Sequence, residues 1–239
     1  MRTSTTRILS THTGSLPRPQ SLIDLYVRRS RGEPVQAAAI ETEGHAAMLD
    51  SVDRQIAAGI DIINNGEQQR EGFFLYVQHR MSGFGGTWKR WSRADVDRYP
   101  AFRQMLEEQS RGKTAVSNFA PPRVVGEVRY VDPALVGHEA HDFTQALSTR
   151  QGRFEEAFLT APSPGIIAKA MANEYYPDED AYFDALARAL KREYEQIVES
   201  GLLLQIDAPD LALEYAVAYQ DQPKPEFLRF VERSVAAIN

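Results

Sequence analysis

The sequence predicts an α/β fold built on a parallel sheet, of the TIM-type (β/α)8-barrel kind, with the first five βα units present in this chain. Three observations carry that reading. Short β-branched or apolar runs alternate with helical segments along the chain. The runs are nearly continuous in apolar residues, as in strands covered on both faces. Each ends on a polar exit, often beside glycine: "HTGS", "NNGE", "VGEV", "TAPSP" and "QIDAP". No G-x-G-x-x-G or G-x-x-x-x-G-K-[ST] follows any of them, so an open nucleotide-binding sheet lacks its usual signature.

The elements follow in order. "RILSTHTGSLPRP" is a β-prone run that stops on a glycine-marked corner, where backbone and hydroxyl can approach a ligand closely. "SLIDLYVRRSRGEP" reads as a short helix ending at Gly32 and Pro34. In "VQAAAIETEGHAAMLDSVDRQIAAG", Ala38, Ile40, Ala47, Leu49, Val52 and Ile56 form a helical stripe, with Gly59 at the C-cap position. "IDIINNGE" is the next strand. An aromatic and basic excursion at about 72–120 holds a short helix near Ala101–Leu106. "RVVGEVRYVDP" predicts a third strand and "EEAFLTAPSPGIIAKAM" a fourth, running into a proline-marked loop. "DEDAYFDALARALKREYEQIVESG" is the clearest helix, acidic at its start and closed by Gly201. "LLLQIDAPDLAL" is the fifth strand, and "KPEFLRFVERSVAAIN" a final amphipathic helix. Residues 1–239 are expected to form a single, incomplete barrel domain.

Composition narrows the function. The chain has 239 residues, 43% hydrophobic and 25% charged, with a net charge of −6. That charge argues against a general nucleic-acid surface while leaving room for a local basic pocket. There is no cysteine, which removes disulfides, thiol nucleophiles and thiolate metal ligands. The N-terminus lacks an apolar core of signal-peptide length and no apolar run reaches eighteen residues, so the expected location is cytoplasmic.

In a parallel barrel all strand C-termini open onto one face. Ser15, Glu67, Glu127 and Asp207 would then converge on one mouth. A lone acid at such a position is most simply a helix cap or loop residue. Three carboxylates together repel unless a cation, an amine or protons lie between them. The pattern therefore points to a ligand with an ammonium group or a bound metal, and an amino acid fits. His12 and Arg18, beside the first exit, and Arg70, after the second, are further candidates for substrate contact.

Four motifs in order give the chain a family likeness. Gly14-Ser15-Leu16-Pro17, Gly66-Glu67 with Arg70, Pro121-Pro122 with Gly126-Glu127-Val128, and Gln205-Ile206-Asp207 with Pro209 follow one another along the chain. Over nearly its whole length the sequence resembles the catalytic C-terminal barrel of cobalamin-independent methionine synthase and its short single-barrel relatives, in the superfamily shared with uroporphyrinogen decarboxylase. The resemblance implies methyl transfer from a methylfolate-like donor to the thiol of homocysteine or a related thiol. It implies that Ser15, Glu67 and Asp207 hold the amino-acid end of that substrate, and that zinc activates the thiol.

Two departures bear on that implication. The family's fourth motif, G-P-[VT]-T, is replaced by "TAPSPGIIAKAM", without its nearby tryptophan. The family's H-x-C zinc pair on the sixth strand has no counterpart, so its metal ligands are expected beyond Asn239. His138 and His141 have H-x-x-H spacing beside Glu139 and Asp142, which more simply reads as a solvated helix start. His45 and His79 read as structural or exposed. Trp88 and Trp91 flank Lys89 and Arg90 and suit either a stacking lid or an aromatic cluster under a loop.

Two alternatives stand beside methyl transfer. One is a metal-free barrel enzyme of the decarboxylase type, worked by Arg18, Arg70 and Arg80. The other is a non-catalytic amino-acid-binding subunit lacking the zinc half. A partial barrel exposes strand edges and apolar interior. The rest of the barrel is therefore expected from a longer native chain, a partner chain or a homo-oligomer.

Overall fold

The structure is a computed structural model that describes residues 1–90, 96, 98–110, 121–132 and 134–239. Trp91 lies outside the described residues. The architecture is a partial, incompletely closed α/β barrel. Strands β1 (Ile62–Asn64), β4 (Glu156–Pro162) and β5 (Leu203–Asp207) form a parallel sheet in the order β1-β4-β5. Thr11 extends it beyond β1 through a parallel bridge to Ile62.

The "RVVGEV" segment takes a different place from the one its pattern suggested. Strand β3 (Arg123–Val124) pairs antiparallel with β2 (Phe84–Gly85), outside the parallel sheet. The physical reason is that β1 and β4 hydrogen-bond directly, Ile63 opposite Ala157, which leaves no slot between them. The excursion thus folds as a ribbon against the barrel. Gly83 makes this ribbon possible. It sits at φ +90°, and a Cβ there would lie 2.6 Å from the Gly126 carbonyl and 2.7 Å from that of Glu127.

Helices cover the sheet where the apolar stripes required. Helix α1 (Gln20–Ser30) is followed by α2 (Ala37–Ala57), which buries Met48, Val52 and Ile56. After β3 and the helix α3 (Pro100–Ser110), α4 (Ala134–Ser148) buries Val136, Ala140 and Phe143. These pack with Ile63, Leu159 and Ile197 into one core. A second core joins the 3-10 turn Leu75–His79 to α5 (Pro164–Ala170), α6 (Glu179–Glu199) and α7 (Lys224–Ile238), through Leu75, Val77, Ile167, Phe183, Leu186 and Phe230. Caps fix where two helices begin. Ser163 Oγ accepts from Ile166 N at 3.1 Å, and Asp178 Oδ1 accepts from Ala181 N at 2.8 Å.

Every residue of β5 is only partly buried, unlike the interior of β4, because β5 is an edge strand. Among the described residues no helix is long and apolar enough to cross a membrane.

Gly83→Ala should destabilise the fold by at least about 1–3 kcal/mol, from the left-handed backbone and the backbone clash together. Urea unfolding of the two proteins checks this, and equal midpoints would show that the ribbon is not packed as described.

Candidate functional site

The first corner and the turn after β1 clasp one another at the C-terminal end of the sheet. Leu16 N donates to the Gly66 carbonyl at 3.1 Å, and Arg18 Nη2 donates to the Glu67 carbonyl at 2.7 Å. The turn itself is made by two consecutive asparagines. Asn64 Oδ1 accepts from Gly66 N at 2.7 Å, and Asn65 Oδ1 accepts from Glu67 N at 2.9 Å. Both turns bend the backbone back over itself.

The result is that Glu67 takes a left-handed φ of +55°, the only positive φ at a non-glycine among the described residues. Such strain persists only where surrounding contacts over-determine it, and it concentrates at functional sites. Those contacts are visible here. The Ser15 hydroxyl donates to Glu67 Oε2, and Thr160 Oγ1, on β4, donates to Oε1 at 3.0 Å. Glu67 is only 1% exposed, whereas Ser15 and Thr13 above it remain exposed to solvent. Each carboxylate oxygen keeps a second lone pair for a further donor.

Asp207 closes the mouth from β5. Gln205 Nε2, two residues earlier on the same face, donates to Asp207 Oδ1 at 2.7 Å and to Thr13 Oγ1 at 3.1 Å. Burial pushes the Asp207 carboxyl above its usual range and the Glu67 charge adds to this, against the Gln205 hydrogen bond and the more distant Arg70. Ser15, Glu67 and Asp207 are therefore brought to one place, from three separate strand exits.

The other sequence candidates are placed differently. Glu127 is exposed and pairs with Arg129 at 2.6 Å, beside the antiparallel ribbon. His12 Nε2 donates to the Gly14 carbonyl at 2.7 Å and so braces the corner. His138 and His141 are exposed on α4, while Glu139 between them is buried on its opposite face. Trp88 Nε1 donates to the Ala170 carbonyl at 2.9 Å, anchoring the excursion to the end of α5.

Arg70 and Arg80 belong to a buried ionic network that sequence reasoning did not find. Arg70 Nε donates to Glu139 Oε1 at 2.9 Å, and Arg80 Nη2 donates to Glu139 Oε2. Arg80 Nη1 also reaches Glu193 Oε1, on α6, at 3.2 Å. Both guanidiniums lie over the Tyr76 ring, 4.3 and 4.5 Å from its centre, and the Tyr76 and Tyr130 hydroxyls donate to Glu193. Burial by itself would push the Glu139 carboxyl up, but Arg70 and Arg80 hold it down, to about 2. The network touches the mouth at two points. Arg70 Nη1 donates to Thr160 at its carbonyl (2.7 Å) and hydroxyl (3.2 Å), and Asn65 Nδ2 donates to Glu139 Oε1 at 2.8 Å.

No arrangement suited to zinc is present among the described residues. The sequence has no cysteine, and among the described residues no group of three or more His, Asp or Glu side chains could hold a metal ion. The donors at the mouth are hydroxyls, an amide and two carboxylates on different strands, which suit an ammonium group.

Two expectations follow for stability. Glu139→Gln should cost about 3–5 kcal/mol at neutral pH, since it leaves two buried guanidiniums to share the one carboxylate of Glu193. Because the Glu139 value lies below the ordinary 4.5, its stabilisation is complete above pH 4.5 and lost as pH falls toward about 2. The variant's acid unfolding limb should be flatter in that window. Asp207 has the opposite sign. Its raised value means the unfolded chain ionises first, so the wild type loses stability as pH rises above 3.8. Asp207→Asn should then raise the melting temperature at neutral pH, and the gain should vanish below pH 3.8; a gain that persists in acid would contradict this origin.

Comparison with known proteins shows which sequences and folds the chain resembles. No family model matches the chain. A methionine synthase of Sulfolobus acidocaldarius is 27% identical over 200 residues, which are 82% of this chain and 50% of that protein. A 5-methyltetrahydropteroyltriglutamate–homocysteine methyltransferase of Shewanella oneidensis is 26% identical over 201 residues, 84% of this chain and 23% of that protein. The chain spans about half the length of the archaeal relatives it matches. Among solved structures, a B12-independent methionine synthase from Shewanella sp. W3-18-1, in complex with selenomethionine, superposes with a TM-score of 0.63 at 20% identity, covering 95% of this chain and 57% of that one. A putative vitamin-B12-independent methionine synthase from Listeria monocytogenes gives a TM-score of 0.55 at 17% identity, covering 84% and 53%. In sequence over four-fifths of its length, and in fold, this chain is similar to the cobalamin-independent methionine synthases.

Proposed function

We propose that this chain is the amino-acid-positioning half of a barrel of the methionine-synthase kind, and that it binds the α-amino end of homocysteine or methionine at Ser15, Glu67 and Asp207. The observation that carries this is the convergence of two carboxylates and an exposed hydroxyl on one open mouth, with Glu67 held in a strained backbone conformation. An ammonium group between Glu67 and Asp207 would relieve their mutual repulsion and gain charge-assisted hydrogen bonds. The Ser15 corner would face the substrate carboxylate. The relative from Shewanella sp. W3-18-1 was solved with selenomethionine, an amino acid of this class.

The reading closest to the residues at hand is the binding one. Activation of the thiol calls for a metal half that the side chains present do not supply, so no step through zinc is assigned to them. Methyl transfer, with a methylfolate-like donor, belongs to an assembly in which further barrel strands cover the open edge of β5. Those strands would come from the same polypeptide, a partner chain or a second copy. The decarboxylase-type alternative draws less support, because Arg70 and Arg80 are already engaged by Glu139 and Glu193.

Calorimetric titration with methionine tests the proposal. The wild-type chain should bind, and Glu67→Gln and Asp207→Asn should each weaken binding about tenfold or more, equivalent to about 1.4 kcal/mol, with unchanged circular dichroism. Equal affinity in all three proteins would overturn the assignment.

A further inference from the structure

A second concave site lies away from the mouth, between the antiparallel ribbon and α6. It is a cavity of about 610 Å³, within the size range of small-ligand pockets. Arg129, Arg188 and Arg192 line it together with Tyr130, Tyr175 and Tyr176; Glu127 is the acid among its lining residues. Three guanidiniums therefore face one carboxylate, in a chain whose net charge is −6.

The arginines of α6 are available. Arg188 and Arg192 are exposed, and the side chain of neither has an ion pair or hydrogen bond to any described residue. The one neighbouring pair on that helix face, Lys191 with Glu195 at 3.7 Å, leaves them out. Like charges four apart cost a helix a few tenths of a kcal/mol when nothing lies between them. Ala185 and Ala189, on the same helix face, leave room between the two long side chains.

The opposite wall is fixed in place. The Tyr130 hydroxyl donates to Glu193 at 2.8 Å, and the Tyr176 hydroxyl accepts from Val128 N at 2.8 Å. Tyr175 stands edge-on to Tyr176, ring centres 5.0 Å apart, and remains 51% exposed.

We propose that this cavity binds a small polyanion whose two oxyanion groups bridge Arg188 and Arg192, with the Tyr175 ring against its flank. The two arginines are one helical turn apart, ~6 Å along the axis. A diphosphate or a short dicarboxylate spans that distance, and a guanidinium fork pairs with either group in bidentate fashion. Glu127 opposes the ligand and competes with it for Arg129, so the site is tuned to anions strong enough to displace that pair.

The test is calorimetric titration of the whole chain at low salt with inorganic pyrophosphate and, separately, with glutarate. Saturable binding of at least one at about 1 mM or below is expected. Arg188→Gln and Arg192→Gln should each weaken it about tenfold, Glu127→Gln should tighten it, and the exposed Arg229→Gln should leave it unchanged. Binding of pyrophosphate alone identifies a phosphate ligand, and of glutarate alone a dicarboxylate. Absence of binding by both overturns the proposal, as does wild-type affinity in the Arg188 and Arg192 variants. A loss on Arg229→Gln as large as theirs also overturns it, since only net charge would then be at work.

Discussion

Compensation of the buried Glu139 charge is the constraint on which the rest of the structure depends. One carboxylate on α4 holds Arg70, from the end of the β1 turn, and Arg80, from the end of the 3-10 turn. Arg80 carries the connection on to Glu193 of α6, with Tyr76 lying beneath both guanidiniums. Segments far apart in sequence are thereby fixed to one point. Buried ion pairs of this kind add little net stability compared with well-packed apolar groups, because desolvation offsets their attraction. Their contribution here is geometric. An apolar replacement could fill the same volume, yet it could not donate to Thr160 or accept from Asn65.

Those two contacts connect the interior to the mouth. Asn65 uses its carbonyl oxygen on the Glu67 N–H and its amide on Glu139, so the strained turn is tied to the network through one side chain. Thr160 accepts from Arg70 and donates to Glu67, which orients its single proton toward the carboxylate. The energy needed to hold Glu67 at a positive φ is thus spread over the clasp with Ser15 and Arg18 and over the buried charges behind it. A site residue held from two sides in this way is preorganised for a ligand.

The legible part of this arrangement was the part that lies at strand ends. Ser15 and Glu67 stand out because glycine, a polar residue and the end of an apolar run coincide there, and Asp207 because it ends an apolar run just before Pro209. Glu139, Glu193 and Thr160 do not stand out. The first two sit in amphipathic helices, where a glutamate reads as a solvated face, and Glu139 is further disguised by exposed histidines on either side. Thr160 lies inside a strand where threonine needs no special reason. The "RVVGEV" run is extended as its alternation predicts, with Val124 buried and Val125 exposed. Which edge it joins depends on the direct pairing of β1 with β4, a long-range fact that local pattern does not carry.

The two acids of the mouth are treated unequally, and that inequality gives the site its direction. Glu67 has a hydroxyl on each oxygen and a buried ionic network behind it, so its geometry is set before any ligand arrives. Asp207 has one amide donor and sits on an edge strand whose residues are all partly exposed; burial first, and then the Glu67 charge, raises its affinity for a proton. On the proposed reading, a ligand ammonium between them would gain most from Asp207, the acid with fewer partners, while Glu67 would supply the fixed reference against which it is oriented. Strands placed beyond β5 would remove water from Asp207 first, since it is the outermost of the two. Closing the barrel and strengthening a contact to the proposed amine would then be a single event, because excluding water around Asp207 strengthens its attraction for a cation more than for any neutral group.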